Sequence, residues 1–366
     1  MLTFRPLRSG QPLRIAVVST VYRATPPSGY GGIERVVHEY CEELIRQGHE
    51  VTLFAREGSR SSGRLIPIPA PGRELTGVNK AADKLSEEPL YEIMKTALEA
   101  DPVDVIHDWS FENLYVLRHP ERFPFLISSC IPVGPEYQRP NIVAAGRGHA
   151  EAIGGGMPHV NYGVDLSRYR FVRQKTAPIV HIAKVAPYKA QHEAILAALR
   201  AGVPLDIYGV PEHRLYYSAV VRPLTVLGRG ISWKGETSDL PTVLGAARAL
   251  VQTPRWMDAL PMVVIQALAC GTPVIAYRSG GLPEQIDHGV SGFLVDGAKE
   301  LAEAMRNVGQ LDPAACRRWA EERFDVARMA RDYVHLFERV REGEAWIGGP
   351  AVPGGRVQRA GQAEAV

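Results

Sequence analysis

Apolar positions along this chain change period in a regular way. "LRIAVVST" is a short continuous apolar run, the form taken by a strand buried on both faces of a parallel sheet. A Gly- and Pro-rich stretch, "ATPPSGYGG", comes next. "IERVVHEYCEELIRQGH" then places Ile33, Val36, Val37, Tyr40, Leu44 and Ile45 on one helical stripe, with Gly48 where the helix should stop. "EVTLFA" is strand-like again, so the order strand, glycine loop, helix, strand predicts a βαβ unit. The alternation continues with strands at "LIPIP", "VDVIH" and "FPFLISS" and a helix over 79–100. "PHVNYGVDLSRYRFVRQKTAP" breaks the rhythm with polar and aromatic residues and reads as an interdomain linker.

A second series follows. Strands are predicted at "IVHIAKV", "LDIYG", "ALVQTP", "PVIAYRS" and "GFLV", and "YKAQHEAILAALRAGV" is a helix ending near Gly202. Helices then run from Ala298 to about Arg341, and the last carries a stripe of Val326, Met329, Ala330, Tyr333, Phe337 and Val340. From Glu342 onward the period is lost and Gly and Pro dominate, which predicts a mobile tail. The fold class expected is α/β, with two doubly wound Rossmann-like domains in tandem. Ligands of such sheets bind beyond the carboxyl ends of the strands, so two facing edges would form a central cleft.

Composition narrows the partners. A chain of 366 residues is long enough for two domains. Its formal net charge of +2 gives no reason to expect nucleic acid. No apolar run approaches the roughly 18 residues of a membrane span, and the N-terminal stretch lacks a signal-peptide core. Cys41, Cys130, Cys270 and Cys316 share no C-x-x-C spacing and read as free, buried thiols. The expected location is the cytoplasm.

Four stretches carry candidate chemistry. In "SGYGGIERVV", Gly31 and Gly32 open a helix after a strand, which suits either an anion near backbone N–H groups or simply a tight turn. In "HIAKVAPYKAQHEA", Lys184 ends a strand and Lys189 starts a helix; they are either diphosphate-binding cations or solvated lysines. In "VDVIHDWSFEN", His107 and Asp108 end a strand, where a cleft residue belongs, or else are satisfied by nearby backbone. In "DALPMVVIQALACGTPV", Asp258 precedes a helix N-terminus, with Pro261 suited to its first turn and Gly271 to its end. Gln266 lies about two turns into that apolar helix, and so polar a group needs a partner, from backbone or from a ligand hydroxyl.

Taken together, these stretches resemble glycosyltransferase family 4, the retaining nucleotide-sugar transferases of GT-B architecture. The resemblance runs from about Ile15 to Val340 and rests chiefly on "ALACGTPVIA" followed by "GGLPEQIDHGVSGFLV". The chain departs from the family at its two diagnostic glutamates, replaced here by Asp258 and Gln266. Lys184 stands for an arginine, Ala190 for a glycine, and Trp109 for a frequent histidine.

The resemblance implies an acceptor-side domain over 1–170 and a nucleotide-sugar domain over 171–324. A helix at about 325–342 would pack back on the first domain, and 343–366 would form the tail. It implies Lys184, Lys189, Asp258 and His107 as catalytic residues. Gly31, Gly32, Leu260, Met262, Val263 and Gln266 would hold the donor, and Asp108 and Trp109 would lie on the acceptor side. No cofactor and no metal ion are implied. The donor is a UDP-sugar by preference and a GDP-sugar next, and the acceptor is an unidentified hydroxyl on a glycan, lipid or small molecule. A lipid acceptor would bring the protein to the inner membrane face, where Arg56, Arg60, Arg64, Arg73 and Lys80 could meet anionic lipid, although ordinary solvated loops explain them better. The alternatives are a non-catalytic or weakly active nucleotide-sugar-binding protein and a nucleotide-sugar epimerase.

Overall fold

The computed structural model describes residues 11–29, 31–69, 85–129 and 138–346. They divide into two compact units, one built from 1–161 and 326–366 and the other from 162–325. The division therefore falls earlier than the expected 170/171, inside the segment read as a linker.

The first unit holds a parallel sheet of β1 (Arg14–Val18), β2 (Glu50–Arg56), β3 (Arg64–Ile68), β4 (Val105–Asp108), β5 (Phe125–Ser128) and β6 (Ile142–Val143). Their order is β3-β2-β1-β4-β5-β6. The second unit holds β7 (Ile179–Ile182), β8 (Leu205–Tyr208), β9 (Ile231–Gly235), β10 (Leu250–Gln252), β11 (Val274–Tyr277) and β12 (Gly292–Val295), ordered β12-β11-β10-β7-β8-β9. Both are doubly wound sheets in which the order reverses beside the first strand, between β1 and β4 and between β7 and β10. Such a reversal leaves a crevice at the carboxyl edge.

Continuous apolar runs became central strands for the expected reason. Ile15, Val17 and Val18 are fully buried, as are Leu250 and Val251, because helices cover both faces of a parallel sheet. The structure adds two edge strands, β6 and β9. The predicted helix over 79–100 begins only at Glu88 among the described residues, and 79–84 lie outside them.

The helix Val326–Arg341 belongs to the first unit, and its stripe is buried as its spacing predicts. The chain stays ordered past the expected start of the tail. Trp346 is buried, its indole Nε1 donates to the Ile142 carbonyl at 2.6 Å, and Arg339 pairs with Glu344. The rest of the expected tail, 347–366, lies outside the described residues. So do Cys130, Arg73 and Lys80, whereas Cys41, Cys270 and Cys316 are free and buried.

His107 corrects an expectation. It is fully buried in the core of the first unit, between the Tyr40 hydroxyl at 3.0 Å and the Ser128 hydroxyl at 2.8 Å. Ser128 in turn lies 2.8 Å from the Tyr333 hydroxyl. One ring nitrogen donates and the other accepts, so both are used, and the relay ties β4 and β5 to the helices Gly32–Arg46 and Val326–Arg341. Trp109, expected on the acceptor side, is 1% exposed and packs among Tyr40, His107 and Tyr333, with ring centroids 6.0, 4.9 and 5.8 Å away. Asp108 is equally buried and accepts from the Ser110 N–H at 2.8 Å, and burial raises its pKa. His107 and Asp108 do end β4, with Trp109 directly after it, but all three side chains are buried in the unit.

Burial holds the His107 ring neutral, with a pKa well below the ordinary 6.5. The unfolded chain therefore takes up a proton that the folded chain refuses. The stability this group supports is complete above pH 6.5 and is lost as pH falls, by about 1.4 kcal/mol per pH unit. We expect His107→Gln to lower the unfolding free energy by about 1–3 kcal/mol at about neutral pH. Denaturant titrations should then show the gap to wild type shrinking between pH 6.5 and about 5. A gap that stays constant would mean that His107 is not the neutral link described.

Candidate functional site

The reversal point of the second sheet gathers the other candidates. The loop after β7 carries Lys184 and Lys189, and the loop after β10 carries Asp258. The two loops are fastened together: the Thr253 hydroxyl donates to the carbonyl of Ala190 at 3.0 Å, and the Arg255 N–H to that of Tyr188 at 2.8 Å. Gln191 reaches back to the Lys184 carbonyl at 2.8 Å. Ala190 sits at φ 49°, in the left-handed region, at the start of the helix Gln191–Ala201. The left-handed turn that a glycine makes without strain is thus kept by alanine, at a cost of about 1 kcal/mol.

Both lysines are largely shielded and ion-paired. Lys189 binds Asp258, with side chains 16% and 15% exposed. Lys184 lies 3.0 Å from Glu212, which also accepts from the Tyr188 hydroxyl at 3.1 Å. Tyr188 and Trp256 stack at a tilt, centroids 4.5 Å apart, and the Lys189 ammonium stands 5.2 Å over the Trp256 ring. Lys184, Glu212, Tyr188, Trp256, Lys189 and Asp258 thus form one connected cluster. Sequence reading found the lysines and Asp258 but missed Glu212, Tyr188 and Trp256. Glu212 follows β8 and Trp256 follows β10, so the rule that ligands gather at strand ends was the available signal.

Beyond Asp258, Leu260 is buried, and Pro261 caps the helix Met262–Ala269 without a side-chain acceptor. Met262 and Val263 occupy its first turn, half-buried. Backbone N–H groups in that turn have no helical carbonyl to meet, and the helix dipole favours an anion there. Gln266 is 5% exposed, and its amide has no hydrogen-bond partner among the described residues. By contrast the other buried glutamines of this unit each donate to a carbonyl, Gln191 to Lys184, Gln252 to Ile182 and Gln285 to Pro261. In the first unit, Gly31 packs against Pro27, whereas Gly32 faces open space at its helix N-terminus.

The loop that carries Asp258 is held from below by "GGLPE". The Gly281 N–H donates to the Asp258 carbonyl at 2.8 Å. A Cβ on Gly281 would lie 2.1 Å from the Ala259 carbonyl oxygen, and one on Gly280 would lie 2.2 Å from that of Asp258. Neither contact is tolerable, so only glycines allow the loops to meet. Gly281→Ala should displace residues 258–260 and cost about 2–4 kcal/mol, in the range of overpacked core sites. A melting temperature equal to wild type would show that the loop adapts.

Two Rossmann-like units with these strand orders define the GT-B class of fold, and solved structures agree. AviGT4, a glycosyltransferase involved in avilamycin A biosynthesis, is 24% identical with a TM-score of 0.74, over 92% of this chain and 100% of that one. Sucrose-phosphate synthase from Thermosynechococcus elongatus is 18% identical with a TM-score of 0.73, over 91% and 100%. Anabaena HepE, in complex with UDP-glucose, is 18% identical with a TM-score of 0.67, over 89% and 99%. At such identities the likeness establishes the fold.

The sequence is more specific. The family model described as glycosyl transferases group 1 matches residues 169–324, and that of glycosyltransferase family 4 matches 30–128. The two halves of the chain thus each match a glycosyltransferase family model. Among curated relatives, D-inositol 3-phosphate glycosyltransferase of Mycolicibacterium smegmatis is 31% identical over 156 residues, covering 39% of this chain and 35% of that protein. The protein of the same name from Salinispora tropica is 45% identical over 80 residues, 22% of this chain and 16% of the relative. The matched stretches therefore span little more than a third of these relatives at most.

Proposed function

We propose that the protein is a retaining glycosyltransferase that takes a sugar from a nucleoside diphosphate sugar, UDP-linked by preference and GDP-linked next, and passes it to a hydroxyl acceptor. The observation that carries this reading is the second unit's reversal point. Two shielded lysines and Asp258 meet there within one pair of loops, and the second loop leads into the helix that carries Gln266. Lys184, Lys189 and the N–H groups of Met262 and Val263 bind the diphosphate, with Leu260 shaping the approach. Gln266 bonds the ribose hydroxyls, and Asp258 lies beside the sugar. The glycosyltransferase family models matched by the two halves of the chain and the UDP-glucose held by Anabaena HepE support this assignment.

The reaction breaks the bond between the sugar's anomeric carbon and the phosphate oxygen. The acceptor oxygen bonds the same face of that carbon, and its proton passes to the departing phosphate. Charge grows on the diphosphate as that bond breaks, so fixed cations stabilise the transition state more than the bound donor. Lys184 and Lys189 fill the place a divalent ion would otherwise take. In the free protein Glu212 and Asp258 hold these cations, and the donor's phosphates replace the carboxylates as partners.

A panel of sugar nucleotides, each incubated with the intact protein in EDTA, tests the proposal by release of nucleoside diphosphate. Release from one UDP- or GDP-sugar is expected, slow with water as acceptor. Conversion of the sugar with no nucleotide release would instead identify an epimerase. The pair Asp258 and Gln266 favours one second reading, a nucleotide-sugar-binding protein without turnover. Binding without release, followed by gain of release in Gln266→Glu, would establish it.

A further inference from the structure

The edge of the second unit beside β9 carries an unusual surface. A helical turn Arg214–Tyr216, a π-helical segment Tyr217–Val221 and a helix Arg222–Leu227 follow one another without a break. Their inner side is anchored: Tyr216 and Val221 are buried, and the Tyr217 ring packs 5.0 Å from that of Trp233 on β9. Their outer side shows Leu215, Ala219, Pro223, Val226 and Leu227, spaced by about one helical turn. Leu215, Val226 and Leu227 are 70%, 74% and 82% exposed. Exposed leucines continue the surface on the neighbouring helix Gln191–Ala201, where the Leu199 side chain lies close to Gly228.

The charged side chains carried by the segment 214–229 have one sign. Arg214, Arg222 and Arg229 are exposed, and none forms an ion pair among the described residues. No aspartate or glutamate occurs anywhere from 213 to 235. A solvated helix face of a protein with 42 basic and 40 acidic residues would ordinarily mix both signs. An exposed apolar stripe whose own charged residues are all arginines instead matches a surface that is negatively charged outside and apolar just beneath.

We propose that the 214–229 face docks on an anionic lipid bilayer, with Leu215, Val226 and Leu227 entering the headgroup boundary and the arginines on lipid phosphates. This is a different surface from the first-unit loops, and it does not depend on the donor assignment. It needs no membrane-spanning helix, and none of the described helices is long and apolar enough to be one.

Co-sedimentation of the full chain, without nucleotide, tests the proposal with vesicles of phosphatidylcholine alone or mixed with phosphatidylglycerol. The protein should sediment with the anionic vesicles only, and less as salt rises. Arg222→Glu with Arg229→Glu should weaken binding by at least roughly 25-fold, about five-fold for each arginine removed. Val226→Glu with Leu227→Glu should abolish it at an unchanged melting temperature, since both positions are exposed. Arg60→Glu, in the first unit, should leave it intact. Three results overturn the proposal. One is failure of the wild type to sediment. Another is loss of binding in Arg60→Glu but not in the 222/229 variant. The third is dimerisation of the wild type that Val226→Glu with Leu227→Glu dissolves, which would mark a protein interface.

Discussion

Lys189→Ala should lower nucleotide release from the donor by about 10²–10³-fold, the loss typical when one fixed group that stabilises transition-state charge is removed. Lys189 binds Asp258, the acid proposed to lie beside the sugar. Both side chains are mostly shielded from water, so charge there is worth more than on an open surface. Removing the lysine also leaves the Asp258 carboxylate without its partner, beside a phosphate of the same sign. The rate should therefore fall more in Lys189→Ala than in the double variant that also carries Asp258→Asn, once donor is saturating. Initial rates of nucleotide release check this. Equal rates in Lys189→Ala and wild type would remove the lysine from the chemistry.

Gln266→Leu should separate binding from folding. Gln266 is 5% exposed and makes no hydrogen bond to the described protein, yet its amide atoms are not among the fully buried ones, so folding gains nothing from them. Leucine at this position, among Val264, Ile265, Ala267 and Leu268, should leave stability within about 1 kcal/mol of wild type. Affinity for UDP should fall roughly ten-fold, since ribose hydroxyls lose a partner worth about 1–1.5 kcal/mol. A purely structural glutamine would behave in the opposite way, with stability lost and affinity kept. Thermal unfolding with and without UDP reads both quantities in one experiment.

These two residues were legible in the sequence because each breaks a local pattern. Gln266 is a polar residue in an otherwise apolar helix, and Lys184 and Lys189 flank the loop where a strand gives way to a helix. The central strands were legible for the same kind of reason, since burial on both faces demands continuous apolar runs. β9 was not. "ISWKG" is an edge strand with its outer positions in solvent, and its Ser232, Trp233 and Lys234 show no apolar run. β6 is two residues long and leaves no period to read.

His107 shows why a strand end is an ambiguous sign. In the parallel register it pairs with Val17 and Leu126, in mid-sheet, and every residue of β4 is buried. Position along the chain indicated the carboxyl edge, but not that Tyr40 and Ser128, 67 and 21 residues away, would occupy both ring nitrogens. Such partners are set by helix packing, and only the stripe containing Tyr333 pointed toward it. The glycines of "GGLPE" are similar: what demands them is the Ala259 carbonyl on another loop, 2.1 Å from where a side chain would begin.

Calorimetric titration of UDP into the intact protein, in EDTA and beside a Lys184→Ala/Lys189→Ala variant, tests the central claim most directly. The account predicts saturable binding to the wild type at one site per chain, and affinity in the double variant reduced at least about 100-fold, roughly 1.4 kcal/mol for each lysine. Absence of binding to the wild type, or equal affinity in the two proteins, would contradict it.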